Sequence, residues 1–235
     1  MKMNSSPSTA LGIHEGARPG LTIEVYFDFV CPWCLIGKRH LHTAMSRLAE
    51  MRPDVDLSVL WRSHQLRPDT PPGGLPYQAF YIARLGRPEA VAARRAQVRH
   101  AGTAVGIDFA FERIKVLPNT ASAHELVAYA TRHCNETQVA GLVERLFVAY
   151  FIEGEDIGDS TVLERLGLEC ELGPHGLAEQ FAEFRRSASR TISAPAPIDR
   201  HIDGVPCFVF NRSHSVSGAN PPDVLLDAML RSISG

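Results

Sequence analysis

Apolar and polar residues alternate along residues 21–30, and this alternation predicts a β-strand rich in β-branched and aromatic side chains. The strand runs directly into the motif Cys31-Pro32-Trp33-Cys34. After the motif, apolar residues recur at the spacing of one helix face as far as Glu50, which predicts an amphipathic helix. A second alternation over residues 55–61 predicts another strand. The chain therefore begins with a β-α-β unit.

A different region begins at residues 67–76, where prolines and glycines are too frequent for a helix or a central strand. Beyond it, the chain shows only helical periodicity as far as about residue 173. Five helices are predicted there, over residues 79–85, 90–104, 120–133, 138–150 and 160–166. This succession indicates a small helical bundle.

Strands return towards the C-terminus. A helix over residues 177–188 comes first, and the prolines that follow it should end or kink it. Residues 207–211 and 213–217 predict a hairpin, and residues 223–233 predict a last helix. The chain is therefore predicted to be an α/β protein with helices between its two groups of strands.

Composition and charge narrow the classes of function. The chain has 235 residues, of which 45% are hydrophobic and 21% charged, as in an ordinary folded protein. A formal net charge of −2 supplies no global field that would attract nucleic acid or an acidic membrane. No apolar run is long enough to span a bilayer. We therefore expect no nucleic-acid partner and no membrane association.

The first 20 residues predict a flexible leader. They contain no apolar stretch of signal-peptide length, so we expect a cytoplasmic protein. The chain has five cysteines, an odd number that cannot all pair within one chain. In a reducing compartment, such cysteines are more typical of catalytic or redox-sensing thiols than of a disulfide framework.

The Cys-x-x-Cys motif is the strongest chemical signal in the sequence. A strand that delivers the motif to the start of a helix places the first sulfur where the helix dipole and backbone N–H groups stabilise an anion. Cys31 is therefore the candidate nucleophile. Two residues later in the first helical turn, Cys34 lies near enough to close a disulfide with Cys31 and to release a client from a mixed disulfide.

Two other interpretations of the motif are weaker. Zinc would need His40 and His42 beside the two sulfurs, but residues two apart on a helix point to different faces, and no second Cys-x-x-Cys exists. We therefore expect no metal. A purely structural pair of cysteines is the other alternative, although the strand-turn-helix setting favours reactive thiols.

The residues around the motif resemble a known family. Residues 26–34 with Gly37-Lys38-Arg39 are similar to the FrnE-type branch of the DsbA-like thioredoxin superfamily. Further similar segments follow in the same order within residues 21–230: Trp61-Arg62, residues 65–69, Asn119-Thr120, Ala123-His124, residues 149–151, Glu153-Gly154, Asp156-Ile157, residues 204–206 and residues 216–219. This ordered series is far more specific than Cys-x-x-Cys alone.

The resemblance implies an α/β, thioredoxin-like fold with a large α-helical insertion domain. Residues 21–66 and 175–235 would form the discontinuous thioredoxin-like domain, and residues 67–174 the inserted helical domain. Residues 1–20 would stay outside both as the flexible leader. This division agrees with the order of strands and helices that the periodicity predicts.

The resemblance also implies a substrate-binding surface beside the cysteines. The peptide bond between Val205 and Pro206 is expected to be cis, as it is at this point in thioredoxin-like proteins, and to expose the Val205 backbone to an extended client. Pro32 and Trp33 would extend this surface, with Trp33 offering an apolar face or simply packing. An ordinary trans proline at the start of an edge strand is the alternative.

Two more residues are candidates for auxiliary roles. Cys207 stands where the family usually has an aromatic residue, so it could relay a disulfide, although a buried, inert thiol is the simpler interpretation. Asp28 could help to move the proton of the resolving thiol, or it could be a local cap or hydrogen-bond acceptor. The buried acid of many thioredoxin relatives, six residues before the first cysteine, is Val25 here. His124 is interpreted as a packed histidine without a function.

The leading hypothesis is a thiol-disulfide oxidoreductase that acts as a reductase or isomerase on client protein disulfides or small-molecule thiols. No tightly bound cofactor is expected, and glutathione or another thiol could donate the electrons. The alternative is a glutathione-dependent transferase or isomerase of the kappa-class or 2-hydroxychromene-2-carboxylate isomerase type, although these typically have Ser at the position of Cys31. A third hypothesis is a binding or chaperone module without catalysis. The oligomeric state is not predicted.

Overall fold

The computed structural model describes residues 18–172 and 202–233. The elements in chain order are β1 (Gly20–Phe27), α1 (Pro32–Met51), β2 (Asp56–Ser63), β3 (Leu75–Pro76), α2 (Tyr77–Leu85), α3 (Pro88–Thr103), β4 (Val116–Leu117), α4 (Ala121–His133), α5 (Glu136–Val148), a π-helical turn (Ala149–Glu153), α6 (Ser160–Glu169), β5 (Cys207–Phe210), β6 (His214–Ser217) and α7 (Pro222–Ile233).

The sheet has the strand order β2-β1-β5-β6. Strand β1 is parallel to β2, which follows from the helical crossover through α1, and antiparallel to β5. Strands β5 and β6 form the predicted hairpin. The register between β1 and β5 sets Val25 opposite Phe208 and Tyr26 opposite Cys207. The chain thus returns, after all the helices from α2 to α6, to pair beside the strand that carries the dithiol motif.

Two large hydrophobic clusters form the core. The first lies between one face of the sheet and helices α1 and α7, and includes Ile23, Leu41, Phe208 and Met229. The second joins the end of β1 and the start of α1 to the helices that follow β2: Phe27, Phe29, Cys31, Cys34, Leu126, Leu142, Phe147 and Phe151 belong to it. The motif therefore lies where the sheet and the helical region pack together.

The predicted elements differ from the structure at the end of β1 and in the region after residue 76, as well as at several helix ends. Strand β1 ends at Phe27 although the alternation continues to residue 30, because the chain turns at Asp28, whose carbonyl accepts a hydrogen bond from the Cys31 N–H at 3.1 Å. The region after residue 76 is also not purely helical, since β3 and β4 form a short antiparallel pair. Two-residue strands carry no periodicity that a sequence could reveal.

Several predictions fall on residues outside the described part. They include the helix over residues 177–188, most of the flexible leader and the domain boundary at residues 174 and 175. The division into domains therefore stays a prediction. Within the described residues, no helix is long and apolar enough to cross a membrane.

Candidate active site

The two cysteines of the motif lie at the start of α1. Cys31 is the N-cap residue of the helix, and Pro32 occupies its first turn, where the missing N–H of proline costs no hydrogen bond. The Cys31 carbonyl accepts a hydrogen bond from the Cys34 N–H at 3.0 Å, which closes the turn between them. Both are free thiols, and 6% of Cys31 and 3% of Cys34 are exposed. The local backbone thus brings both sulfurs to one side of the first helical turn.

The surroundings shift the pKa values of the two thiols in opposite directions. The hydrogen bond from the Cys34 thiol lowers the pKa of Cys31, and the Cys34 and Trp33 N–H groups add to this effect against the opposing influence of burial and of the Asp28 charge. Burial raises the pKa of Cys34, and so do its hydrogen bond to Cys31 and the charge of that neighbour. Cys31 is therefore the thiol that ionises first, and Cys34 keeps its proton.

The peptide bond between Val205 and Pro206 is cis, which is the geometry that the resemblance implied. The Cys31 sulfur lies 3.6 Å from the carbonyl oxygen of Val205. Behind this contact, Pro206 packs against Gly37 of α1, where the absence of a side chain permits the close approach. The structure therefore brings Val205 and Pro206 directly beside the first cysteine.

Pro32 and Trp33 are both half-buried at the start of α1. The guanidinium of Arg94, from α3, lies over the Trp33 ring with its carbon 5.8 Å from the ring centroid, within the range of a cation–π contact. Sequence reasoning did not identify Arg94, because nothing in the sequence near residue 94 signals that α3 folds back over the motif. The rim of the site next to the dithiol is thus aromatic and cationic.

Asp28 is fully buried immediately before the motif. Its Oδ2 accepts a hydrogen bond from the Leu66 N–H at 2.7 Å, and its Oδ1 lies 3.4 Å from Nε2 of His124. Helix α1 receives no side-chain cap. Asp28 is therefore not a cap of α1, but it is the hydrogen-bond acceptor that the same interpretation allowed, since it accepts from the Leu66 N–H that follows β2.

His124 is the site residue that sequence reasoning missed. The residue lies on α4 and is buried, with its ring 5.1 Å from that of Phe27 and 5.0 Å from that of Phe29. The only signal in the sequence was its place in the family-like segment with Ala123, and that signal does not say which residue the ring would contact. The packed histidine expected from the sequence is present, but it packs against the carboxylate beside the dithiol.

Comparison with known proteins agrees with this geometry. Residues 22–230 match the DSBA-like thioredoxin domain. The chain belongs to this family. A curated relative is the uncharacterised protein YwbO of Bacillus subtilis (strain 168), which is 25% identical over 210 residues that cover 88% of this chain and 94% of YwbO.

Solved structures show the same fold as this member of the DsbA-like family. A probable DsbA oxidoreductase of Streptomyces coelicolor superposes with a TM-score of 0.78 at 22% identity, covering 91% of this chain and 90% of the other. A 2-hydroxychromene-2-carboxylate isomerase superposes with a TM-score of 0.59 at 16% identity, covering 89% of this chain and 95% of that enzyme. The α/β, thioredoxin-like fold with a helical insertion is thereby confirmed.

Cys207, which stands where an aromatic residue is usual in the family, belongs to a different packing cluster from Cys31 and Cys34. Its side chain packs with Tyr26 and Val209 in a small cluster separate from that of Cys31 and Cys34. The Ser217 hydroxyl lies 3.7 Å from its sulfur, and burial raises the pKa of its thiol. These contacts favour the interpretation of Cys207 as a buried packing residue.

Tyrosines line the helical side of the site in this DsbA-like chain. Burial raises the pKa of Tyr77 to about 12 and also raises the pKa of Tyr81, on which the charge of Cys31 acts as well. Burial likewise raises the pKa of Tyr150, and Asp28 adds to the effect. These phenols are therefore neutral at physiological pH and can donate a proton in a hydrogen bond but cannot serve as bases.

The histidines of the alternative zinc interpretation do not join the cysteines. Nδ1 of His40 lies 2.7 Å from the Asn220 carbonyl, and His42 is exposed on α1. Residues 18–172 and 202–233 contain no group of three or more His, Cys, Asp or Glu side chains arranged to hold a metal ion.

Proposed function

We propose that the protein is a thiol-disulfide oxidoreductase in which Cys31 is the nucleophile and Cys34 the resolving thiol. The observation that carries this proposal is the geometry of the motif: Cys31 is the N-cap of α1, the Cys34 N–H closes the first turn on the Cys31 carbonyl, and the Val205 carbonyl lies 3.6 Å from the Cys31 sulfur. The opposite shifts of the two thiol pKa values agree with this geometry. The thiolate is the reactive form, so a lowered pKa gives Cys31 nucleophilic character at neutral pH. A raised pKa keeps Cys34 protonated until a mixed disulfide has formed.

The reaction takes two exchange steps. In the first, the Cys31 thiolate attacks one sulfur of a client disulfide, forms a mixed disulfide and releases the other client sulfur as a thiolate. In the second, Cys34 loses its proton and attacks the Cys31 sulfur, which forms the Cys31–Cys34 disulfide and expels the remaining client thiolate. The client gains two electrons and two protons in total, and the enzyme loses them.

The substrate surface in this proposal consists of Pro32, Trp33, Val205 and Pro206. The carbonyl of Val205 lies beside the Cys31 sulfur, where it can accept a hydrogen bond from the backbone of an extended client. Trp33 adds a half-buried apolar face next to the nucleophile. This arrangement supports a client protein disulfide as substrate, and small-molecule thiols or disulfides would reach the same sulfur.

The proposal also covers the direction of electron flow and the cellular compartment. We infer a FrnE-type reductase or isomerase in the cytoplasm, where glutathione or another small thiol returns the Cys31–Cys34 disulfide to the dithiol. In a reducing compartment, thiol–disulfide exchange runs towards reduction of the client. No resident cofactor is part of this cycle, because both electrons come from the thiol pair.

A second candidate is glutathione-dependent chemistry on a small molecule. The fold similarity to 2-hydroxychromene-2-carboxylate isomerase favours it, together with Tyr81, on which the charge of Cys31 acts. The second thiol at position 34 favours dithiol exchange instead, since chemistry of the isomerase type needs one nucleophile at most. The two candidates differ in whether Cys34 is required.

The first experiment measures reduction of insulin disulfides by the protein with a dithiol as reductant. We expect activity in the wild type, none in Cys31→Ser, and in Cys34→Ser a trapped mixed disulfide that mass spectrometry detects. Full turnover in Cys34→Ser would favour the glutathione-dependent candidate. Binding of unfolded protein without turnover in the wild type would favour the binding module.

A second experiment tests the cause of the reactivity of Cys31. Cys34→Ala removes the largest influence that lowers the pKa of Cys31, so this pKa should rise, whereas Cys34→Ser keeps an O–H donor and should raise it less. The thiolate absorbance in the ultraviolet, followed against pH, measures the change. Equal pKa values in the wild type and Cys34→Ala would contradict the proposed cause.

A further inference from the structure

Helices α2 and α3 bring a concentration of positive charge to the dithiol side of the molecule. Residues 77–103 contain a single acidic residue, Glu89, although acidic residues outnumber basic ones in the whole chain, which has a formal net charge of −2. The basic residues of this segment are Arg84, Arg87, Arg94, Arg95 and Arg99. The positive charge is therefore local, and the net charge of the chain conceals it.

Two of these arginines reach the surroundings of the nucleophile. The guanidinium carbon of Arg94 lies 5.8 Å from the centroid of the Trp33 ring, which belongs to the motif itself. The charge of Arg84, on α2, acts on the phenol of Tyr81, and the charge of Cys31 acts on the same phenol. We call Arg84 and Arg94 the cationic rim.

The guanidinium groups of the cationic rim have no carboxylate partner among the described residues. Arg94 donates only to the neutral side chain of Gln97, at 2.7 Å, and both arginines are exposed. Most arginines in the described part of the chain pair with a carboxylate instead, as Arg99 of α3 does with Glu112. Because an exposed guanidinium without a counter-ion can form two parallel hydrogen bonds with a carboxylate, the rim is suited to an acidic group from another molecule.

The cationic rim lies where an extended client would pass. The Val205 carbonyl lies 3.6 Å from the Cys31 sulfur, so a client backbone that bonds to this carbonyl runs past the start of α1. Each residue of an extended chain advances the backbone by about 3.3 Å. Client side chains within about three positions of the attacked cysteine would therefore reach Trp33 and the arginine above its ring.

We propose that Arg84 and Arg94 bind an acidic side chain of the client protein, so that the enzyme selects disulfides whose cysteine has Asp or Glu within about three residues. This inference rests on the proposed function and names the class of client. An extended protein segment is the occupant that fits, because the Val205 carbonyl offers it a backbone acceptor while the rim offers its side chain a cation. The exchange steps themselves are those of the proposed function.

The test compares two peptides that differ by one charge. Both are acetylated and amidated at their ends and carry one cysteine as its mixed disulfide with pyridine-2-thiol, and the residue next to the cysteine is Glu in one and Gln in the other. Attack by Cys31 on the peptide sulfur releases pyridine-2-thione, whose absorbance gives the rate, and Cys31→Ser is the blank. Each rate is divided by that of the uncharged thiol 2-mercaptoethanol with the same peptide, which removes differences in the reactivity of the peptides themselves.

We expect the Glu peptide to react roughly 5- to 10-fold faster than the Gln peptide at low salt, on the order of the attraction between unit charges a few ångströms apart in water. At about 1 M salt, where the Debye length is about 3 Å, the ratio of the two rates should approach 1. Electrostatic attraction and not the shape of the side chain would then be the cause of the preference.

Substitutions assign the preference to the cationic rim. Arg94→Gln should lower the ratio to about 2, Arg94→Lys should keep more of it, and the double variant Arg84→Gln/Arg94→Gln should bring it to about 1. The matched control is Arg52→Gln, which removes one positive charge at the other end of the 20-residue helix α1, about 30 Å from Cys31. This control should keep the ratio of the wild type.

Every other outcome decides against the rim or against the function. A ratio near 1 in the wild type, or an equal slowing of both peptides in Arg94→Gln, would overturn the inference and leave the proposed function standing. So would a preference for dithiobis(nitrobenzoic acid) over uncharged dithiodipyridine without any preference between the peptides, because the rim would then bind small acids. A wild type that releases no pyridine-2-thione from either peptide would instead refute the proposed function.

Discussion

Cys207 lies directly after the cis peptide bond and yet shares no cluster with Cys31. Its position in the sequence suggested a disulfide relay, but side chains of adjacent residues in a strand point to opposite faces of a sheet. Pro206 packs on Gly37 of α1, whereas Cys207 packs with Tyr26 on the other side. Pro206 therefore faces the dithiol helix, whereas Cys207, the next residue, faces away from it.

We therefore predict that Cys207→Ala reduces insulin disulfides at a rate within about 2-fold of the wild type. Loss of the sulfur from the small cluster should cost on the order of 1 kcal/mol of unfolding free energy, the typical effect of a single substitution. Urea unfolding and the insulin assay measure the two effects. A loss of more than tenfold in activity without a loss of stability would restore the relay interpretation.

The residues of the site differ in how far the sequence could predict them. Cys31 and Cys34 are predictable, because a strand, a turn and a helix start within a few residues fix their separation. The place of Val205 and Pro206 beside the cysteines could be predicted only from the family resemblance. The contact between Asp28 and His124 could not be predicted at all, since it depends on where α4 places a residue that is 96 positions further along the chain. The sequence thus predicts the residues of the motif itself, but it does not predict which distant residues contact them in the fold.

Gly37 shows how one helix position controls the approach of two elements. A Cβ atom at this position would lie 3.0 Å from Cγ of Pro206 and 3.1 Å from Cζ of Phe208. A side chain at residue 37 would therefore force Pro206 or Phe208 to shift by a few tenths of an ångström for α1 to lie against the start of β5. Since Val205 precedes Pro206, the same contact sets the place of the Val205 carbonyl beside Cys31.

A matched pair of substitutions tests this close approach. Gly141, on α5, is also a helical glycine, but a Cβ atom there would meet nothing within 4 Å. Alanine in a helix interior is favoured over glycine by about 1 kcal/mol, so Gly141→Ala should gain roughly 0.5–1 kcal/mol of unfolding free energy. Gly37→Ala should gain nothing or lose stability and should reduce insulin several-fold more slowly. An equal gain in both variants would contradict the packing argument.

At the level of elements, periodicity predicted the long helices and strands well and the short or interrupted ones poorly. Helix α4 was predicted at 120–133 and runs over Ala121–His133, because its apolar face repeats for three turns. Helix α5 was predicted to reach residue 150 but gives way to a π-helical turn at Ala149. That turn keeps Tyr150 and Phe151 buried, so the apolar pattern continues while the hydrogen bonding changes.

The molecule as a whole holds its dithiol helix from two sides. The sheet and α7 pack on one side of α1, and helix α5 reaches the other side through Glu144. Glu144 pairs with Lys38 at 2.7 Å and also with Arg39. The side chains of Lys38 and Glu144 are 16% and 24% exposed, so solvent screens this pair less than an ordinary surface ion pair. These ion pairs therefore connect the helical region to α1, the helix that Cys31 caps.

We predict that Glu144→Gln lowers the unfolding free energy by roughly 1–3 kcal/mol, because hydrogen bonds to charged groups contribute about that much and two cations lose their partner together. Urea unfolding measures the change. Glu50→Gln, an exposed position near the other end of α1, is the control and should stay within about 0.5 kcal/mol of the wild type. Equal stability of the two variants would mean that apolar packing alone holds the helical region on α1. A larger loss in Glu144→Gln, with hydrogen exchange faster in both α1 and α5, would identify this ion cluster as the joint between the sheet and the helical region.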